Sequence, residues 1–354
     1  MSIPRALLLC LLITLVGCQS TQSPEDMAAA AESPAFDEAR KSGEIAGTTL
    51  SKTQRWLHEV ALTKIDPKTN LYISHDRGSG RYRDALWNYD DAAADTYPFL
   101  FWAAWYTDMD QINGPVLDVL KAEQKLCNHI DRIPTAYDHV AGKKVIKSKD
   151  DTIFAASEYV KDGLLAIIEV SGPNTPWFER MRGIIDDIWK HADIDTPYGK
   201  IPTKNLEANG EHLQILARLY TITGEEKYLH WAERLADYYL SDKDFMPTRL
   251  RDHGCEIIGG LGILYGVLSV HNPEQAEIYQ PHMKRILDEI LKNGTKEDGM
   301  MFNRLGKPDS GISDGWGYNY VSYICYDMVA GEPVYRGHLR QTLQNIGKPA
   351  YKDY

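Results

Sequence analysis

Side chains suited to chemistry fall into four stretches of the chain. The first holds His75, Arg77, Arg81, Tyr82 and Arg83, then Trp87-Asn88-Tyr89-Asp90-Asp91 and Asp95. The second carries Asn205, Asn209, Glu211 and His212, and the third Arg249, Arg251, Asp252, His253 and Glu256. The fourth runs Ser313-Asp314-Gly315-Trp316-Gly317-Tyr318-Asn319-Tyr320. Aromatic faces such as Trp87 and Trp316 stack on sugar rings. Carboxylates and amides, here Asp90, Asp95, Asp314, Asn205 and Asn209, bind hydroxyls, and Arg77 and Arg251 can clamp a carboxylate or sulfate through paired N–H groups. That mixture is what an acidic glycan requires.

Each residue also has a purely structural reading. Asp90, Asp91, Ser313 and Asp314 stand where helix N-caps would. Trp87 and Trp316 could be core lids, and Arg77, Arg81 and Arg83 a solvated loop face. His212 and His253 could be satisfied structural histidines, and most tyrosines near 318–326 packing residues. Two apparent motifs carry less than they suggest. Gly259-Gly260-Leu261-Gly262 lies in an apolar helical stretch with no strand before it, so close helix packing is the better account than a nucleotide loop. Asp108-Met109-Asp110 and Asp193-Ile194-Asp195 lack the remaining ligands of a calcium loop. No metal signature is present, and no cofactor is expected.

The elements that must position these residues are helices of two kinds. Residues 92–108, 151–170, 207–222, 254–270 and 315–329 are apolar nearly all round. Residues 53–64, 114–130, 175–191, 225–240, 274–292 and 333–346 are amphipathic at helical period; in 225–240 the apolar set is Tyr228, Trp231, Ala232, Leu235, Ala236 and Tyr239. A helix apolar on all sides must be surrounded by protein, and an amphipathic one lies outside. Strand-like alternation is scarce. The two kinds alternate, with inner helices starting roughly 47 to 61 residues apart, the mark of helical-hairpin repeats. The expected fold is therefore all-α, an (α/α) toroid in which inner helices ring an axis and outer helices wrap them.

This pattern over about 50 to 354 resembles the six-hairpin glycosidase-like superfamily and the toroid polysaccharide lyases. It departs from them in one respect: about 5.5 hairpins are present, and the twelfth helix, an inner one, is missing. Either the chain is truncated or the ring is open there. Links from outer to inner helices are long (65–91, 131–150, 193–206, 241–253 and 293–314), whereas links such as Thr223-Gly224 are short. In a ring of antiparallel pairs the long links emerge at one end, together with the inner-helix N-termini. A cleft is expected there.

Two chemistries suit such a scaffold. In β-elimination from a uronate polysaccharide, His212 or His253 with Tyr318 or Tyr320 would move the proton, supported by Asn205, Asn209 and Arg251. In hydrolysis, Asp90, Asp91 or Asp95 would pair with Glu256, Asp252 or Asp314 from across the ring. The arginines, amides, histidines and tyrosines tilt the expectation toward elimination from an acidic poly- or oligosaccharide. A non-catalytic glycan-binding protein is the third class.

The N-terminus sets the compartment. Arg5, the apolar run Ala6 to Val16, and Leu15-Val16-Gly17 before Cys18 match a bacterial lipoprotein signal peptide, 1–17, with lipidation at Cys18. Residues 18–47 are poor in large apolar side chains and read as a flexible tether, leaving 48–354 as the toroid domain. The expected location is the bacterial cell envelope, lipid-anchored on the outer membrane or a periplasmic face. The expected partners are a glycan and the membrane. A formal charge of -11 argues against general nucleic-acid binding. Cys127, Cys255 and Cys325 are too few and too widely spaced for a disulfide framework and read as free thiols.

Overall fold

The computed structural model describes residues 33–73 and 86–351. Cys18 and the signal segment, and His75, Arg77, Arg81, Tyr82 and Arg83, lie outside the described residues. Among those described, eleven helices alternate between outer and inner positions. The outer set is α1 (Pro34–Trp56), α3 (Leu117–Cys127), α5 (Pro176–Lys190), α7 (Glu226–Leu240), α9 (Pro273–Gly294) and α11 (Arg336–Ile346). The inner set is α2 (Tyr97–Thr107), α4 (Lys149–Glu158, continuing through Tyr159–Leu165 into Ala166–Ser171), α6 (Leu206–Thr223), α8 (Glu256–His271) and α10 (Trp316–Ala330). Each inner helix packs on the next, and the outer helices lie against this inner row. This is the α/α toroid. α1 begins inside the stretch read as a tether, and none of its residues is buried.

Hydrophobic patterning explains the two roles. In α6 every residue from Glu207 to Ala217 is buried, so even its polar side chains must be satisfied by protein or face a cavity. In α7 burial is confined to Tyr228, Leu229, Ala232, Leu235, Ala236, Tyr239 and Leu240, one face. Trp231 is only half-buried and stacks on Trp189 of α5, with ring centroids 5.0 Å apart and planes 4° from parallel. The glycine run of α8 serves helix contact. A Cβ on Gly260 would lie 2.4 Å from the Gly210 carbonyl oxygen of α6, so only glycine lets the two inner helices approach this closely.

The expectation that every inner helix is surrounded fails at the ends of the row. On α10, Val321 (37%), Ile324 (47%) and Met328 (70%) are exposed, at helical spacing on the side away from α8. On α2, Phe99 and Tyr106 are likewise exposed. These faces lack an inner-helix neighbour because five inner helices are present among the described residues, not six.

The structure also adds short strands that periodicity did not reveal, because two- and three-residue strands carry too few alternations to read. β1 (Leu86–Trp87), β4 (Ala136–Asp138) and β5 (Lys143–Val145) form one antiparallel sheet in the order β1-β4-β5, and β2 (Asn128–Ile130) pairs with β3 (Ile133–Pro134). All lie in long outer-to-inner links. The β2–β3 turn is fixed to α5: Arg132 makes a two-pronged contact to Asp187 (2.8 and 2.9 Å), and Arg180 donates to the Arg132 carbonyl (2.7 Å). Arg180 also forms a fully buried ion pair with Glu123 of α3. Cys127, Cys255 and Cys325 are free.

Candidate active site

All five inner helices contribute to one cavity of about 580 Å³ at the end where the long links emerge. The first inner helix enters through a π-helical segment, Tyr89–Thr96, which presents Asp90, Asp91 and Asp95. A second π-helical segment, Tyr159–Leu165 within α4, presents Lys161 and Asp162 directly after Glu158. Each wide turn holds one more residue than an α-turn, which redirects the side chains around it. The two segments press together: a Cβ on Gly163 would lie 2.5 Å from the Ala93 carbonyl oxygen. α6 adds Glu207 and Glu211, the link before α8 adds Asp252 and His253, and the first turns of α8 and α10 add Glu256 and Tyr318, with Asp314 beside them.

The cavity is therefore strongly acidic. Among the described residues that line it, the basic side chains are Lys161 and His253, and both are already engaged. Lys161 donates to Glu256 (3.1 Å) and to the Tyr318 hydroxyl (3.2 Å), and pairs with Asp162 (2.7 Å). Burial works against its charge, but Asp162 and Glu256 outweigh burial and raise its pKa. His253 contacts Glu207 through Nδ1 and Asp252 through Nε2 (2.9 Å). It holds a left-handed backbone (φ 64°), costly for a non-glycine residue, so the structure aims this imidazole against a local preference.

Crowding sets the protonation pattern. Burial, reinforced by Glu207 and Asp90, pushes Glu158 up to about 9, so it is a neutral acid at pH 7. Burial, with Asp91 and Asp162, raises Asp95 to about 6. Glu211 is raised well above the usual range, first by burial and then by Asp162, and its Oε2 is buried with no hydrogen-bond partner. Burial also raises Glu207, although the His253 imidazole opposes the shift. Donor atoms of Glu158, Glu207 and His253 all lie within 4.8 Å of one another. No metal pattern is legible in the sequence, yet these three would also offer ligands to a cation.

Of the residues singled out from sequence, Asp90, Asp91, Asp95, Glu211, Asp252, His253, Glu256, Asp314 and Tyr318 meet at this cavity. The N-cap alternative does not hold for the aspartates. Asn88 caps the first inner helix, accepting from Ala92 N (3.0 Å), and donates to Asp91 (2.6 Å); no side chain caps α10. Arg251 does not offer a free clamp, since it pairs with Asp314 at 2.8 Å.

Other candidates are structural. His212 is fully buried, shares a hydrogen bond with Ser157 (2.8 Å), and is driven down to about 3 by burial, so it is neutral and out of reach of solvent. Tyr320 is buried and donates to the Gly299 carbonyl (2.9 Å). Asn209 donates to the Thr203 carbonyl and the Tyr239 hydroxyl, and Asn205 caps α6. Trp87 is buried against Tyr89 and Tyr159, and Trp316 packs on Tyr320.

Glu158, Lys161, Asp162 and Glu207 were not singled out, although the sequence held a signal. Glu158, Lys161 and Asp162 are spaced i, i+3, i+4 in a helix otherwise apolar all round; Asp91 and Asp95, and Glu207 and Glu211, are each i, i+4 pairs. Charges on one face of a helix that must be enclosed have to look into a polar cavity.

No protein-family model matches the sequence, and no curated protein matches it. Among solved structures, the chain matches a sugar epimerase from a ruminal bacterium with a TM-score of 0.53 at 14% identity, over 85% of this chain and 87% of that one. Cellobiose 2-epimerase from Spirochaeta thermophila DSM 6192 matches with a TM-score of 0.51 at 14% identity, over 84% of each chain. Cellobiose 2-epimerase from Bacillus thermoamylovorans B4167 gives 0.50 at 11% identity, over 85% and 87%. The likeness is one of fold: this chain and these epimerases share the α/α toroid.

Proposed function

We propose that the cleft is the active site of a carbohydrate-processing enzyme that cleaves glycosidic bonds by hydrolysis. The observation that carries this reading is the pairing of Glu158, neutral at pH 7, with Glu207, whose carboxylate sits against the His253 imidazole. A proton-bearing carboxyl group close to a second one that an imidazole can hold ionised meets the requirement for acid–base catalysis at a glycosidic oxygen. Glu158 would protonate the leaving oxygen, and Glu207 would attack or activate from the other side of the anomeric centre. Their approach within 4.8 Å leaves little room for an intervening water and favours retention of configuration. Sharing the toroid with sugar epimerases supports a carbohydrate as the substrate class. A lipid anchor at Cys18, implied by the sequence, would hold the enzyme at the cell envelope, where polymeric glycans arrive.

Elimination from a uronate, the chemistry favoured by composition, loses support. Among the described residues lining or flanking the cavity, the cations that could quench a uronate carboxylate, Lys161 and Arg251, are already matched by carboxylates. The second reading is epimerisation or isomerisation, in which the same pair would shuttle a proton at the carbon beside a sugar carbonyl; the shared fold favours it.

Incubation with a panel of oligosaccharides separates these readings. New reducing ends with retained anomeric configuration, followed by proton NMR, are expected. Deuterium uptake from heavy water without new reducing ends would replace hydrolysis by epimerisation. Ultraviolet absorbance of an unsaturated uronate would restore elimination, and binding without turnover would reduce the protein to a glycan receptor.

A further inference from the structure

The cleft's charge is more than acid–base catalysis needs. Hydrolysis uses two carboxyl groups, whereas eight further carboxyl side chains among the described residues line this cavity. Glu211 is the most telling. It lines the cavity, is 1% exposed, and its Oε2 meets no hydrogen-bond donor. An unpartnered buried acceptor is costly unless a ligand satisfies it. Asp95, at the start of the first inner helix, and Asp162, beside Lys161 on α4, line the same cavity. Lys161 is bonded to Asp162, Glu256 and Tyr318, and His253 to Glu207 and Asp252; Lys161 acts on Glu211 through its field, and neither side chain donates to Oε2.

Resting on the hydrolytic reading, we propose that the substrate is a cationic glycan, one whose sugars carry a free protonated amine, and that Glu211 receives the ammonium with Asp95 and Asp162 supplying field around it. A neutral sugar would offer Glu211 a hydroxyl donor but nothing to stabilise its ionised form, so burial would keep the carboxyl protonated. A uronate would add repulsion. An ammonium group offers three N–H donors and one positive charge, matching both the orphaned oxygen and the surplus of carboxylates. The bound charge also lowers the proton affinity of the carboxyl groups around it, so binding releases protons.

Calorimetric titration of the full chain tests this with three probes: a glucosamine tetramer, its fully N-acetylated counterpart and a uronate tetramer. The glucosamine tetramer is expected to bind about tenfold or more tighter than the acetylated one, the scale of one hydrogen bond to a charged group. Binding should release protons, read from the dependence of the heat on buffer ionisation enthalpy. Glu211→Gln, close in shape, should erase the preference for the amine sugar over its acetylated counterpart, with the circular dichroism spectrum unchanged. Equal affinity for the two tetramers, tighter uronate binding, or a preference that survives Glu211→Gln would overturn the assignment. So would calcium ions binding at micromolar concentration and displacing the amine sugar. Amine-selective binding without new reducing ends would leave the ligand class standing and remove hydrolysis; cleavage without amine selectivity would do the reverse.

Discussion

Replacing Glu158 by Gln should make the protein more stable and nearly inactive. The folded protein holds the Glu158 proton up to about pH 9, whereas the unfolded chain releases it near the ordinary value of 4.5. Between these values the folded state binds more protons than the unfolded one, so stability falls as pH rises through the window. An unattenuated shift would cost ~1.4 kcal/mol per pH unit, or ~4 kcal/mol between pH 5 and 8. The cleft is open to water and Glu158 only half-buried, so about half of this, ~2 kcal/mol, is expected. Gln has the same shape and no proton to lose. Thermal unfolding should therefore show wild type and Glu158→Gln together at pH 5 and separated at pH 8, with the variant higher by about 4 °C. Asp95 steepens the wild-type curve only up to about pH 6 and remains in both proteins, so the difference isolates Glu158. Hydrolysis should fall by about 10²- to 10⁴-fold if Glu158 is the proton donor. Parallel melting curves for the two proteins across pH 5 to 8 would refute the burial argument. A fully active Glu158→Gln would refute the catalytic one.

Other perturbations probe the scaffold. Gly163→Ala forces a methyl against the Ala93 carbonyl where the two π-helical segments meet. It should cost about 1–3 kcal/mol in denaturant unfolding and, by displacing Lys161 and Asp162, reduce turnover as well. Arg180→Met strands the buried Glu123 carboxylate and should destabilise by about 3–5 kcal/mol, whereas a Glu123→Leu, Arg180→Met double variant should recover much of that loss. His212→Asn should lower the melting temperature without altering the pH profile of activity, since His212 is neutral and sealed in the core. Cys18→Ala should move the protein from the membrane fraction to the soluble fraction of fractionated cells; continued membrane association would remove the lipid anchor.

The helical order was legible because burial leaves a periodic mark on each segment separately. The inner stretch 207–222 is apolar all round and becomes α6, and the one-sided pattern of 225–240 becomes α7. Link length likewise told which end of the ring would carry the site, and Asp90, His253 and Asp314, drawn from those links, line the cavity. Side-chain type could not separate a polar residue facing that cavity from one satisfied within the core. Asn209, His212 and Tyr320 look as functional as His253, but they are buried against Thr203, Ser157 and Gly299, whereas His253 lines the cavity.

Composition also suggested an anion site. Arg251 carries the charge for one, but the fold sets it against Asp314. What only tertiary structure decided was which charges share one space. Glu158, Glu207 and His253 stand on separate elements, 49 and 46 residues apart in sequence, and meet within 4.8 Å. Their meeting depends on the rotation of each inner helix about its axis, and one added residue in a π-turn rotates the remainder of the helix by about 100°. The sequence states that each segment is a helix and which face is apolar; the rotations that bring carboxyl groups face to face come from how the helices pack.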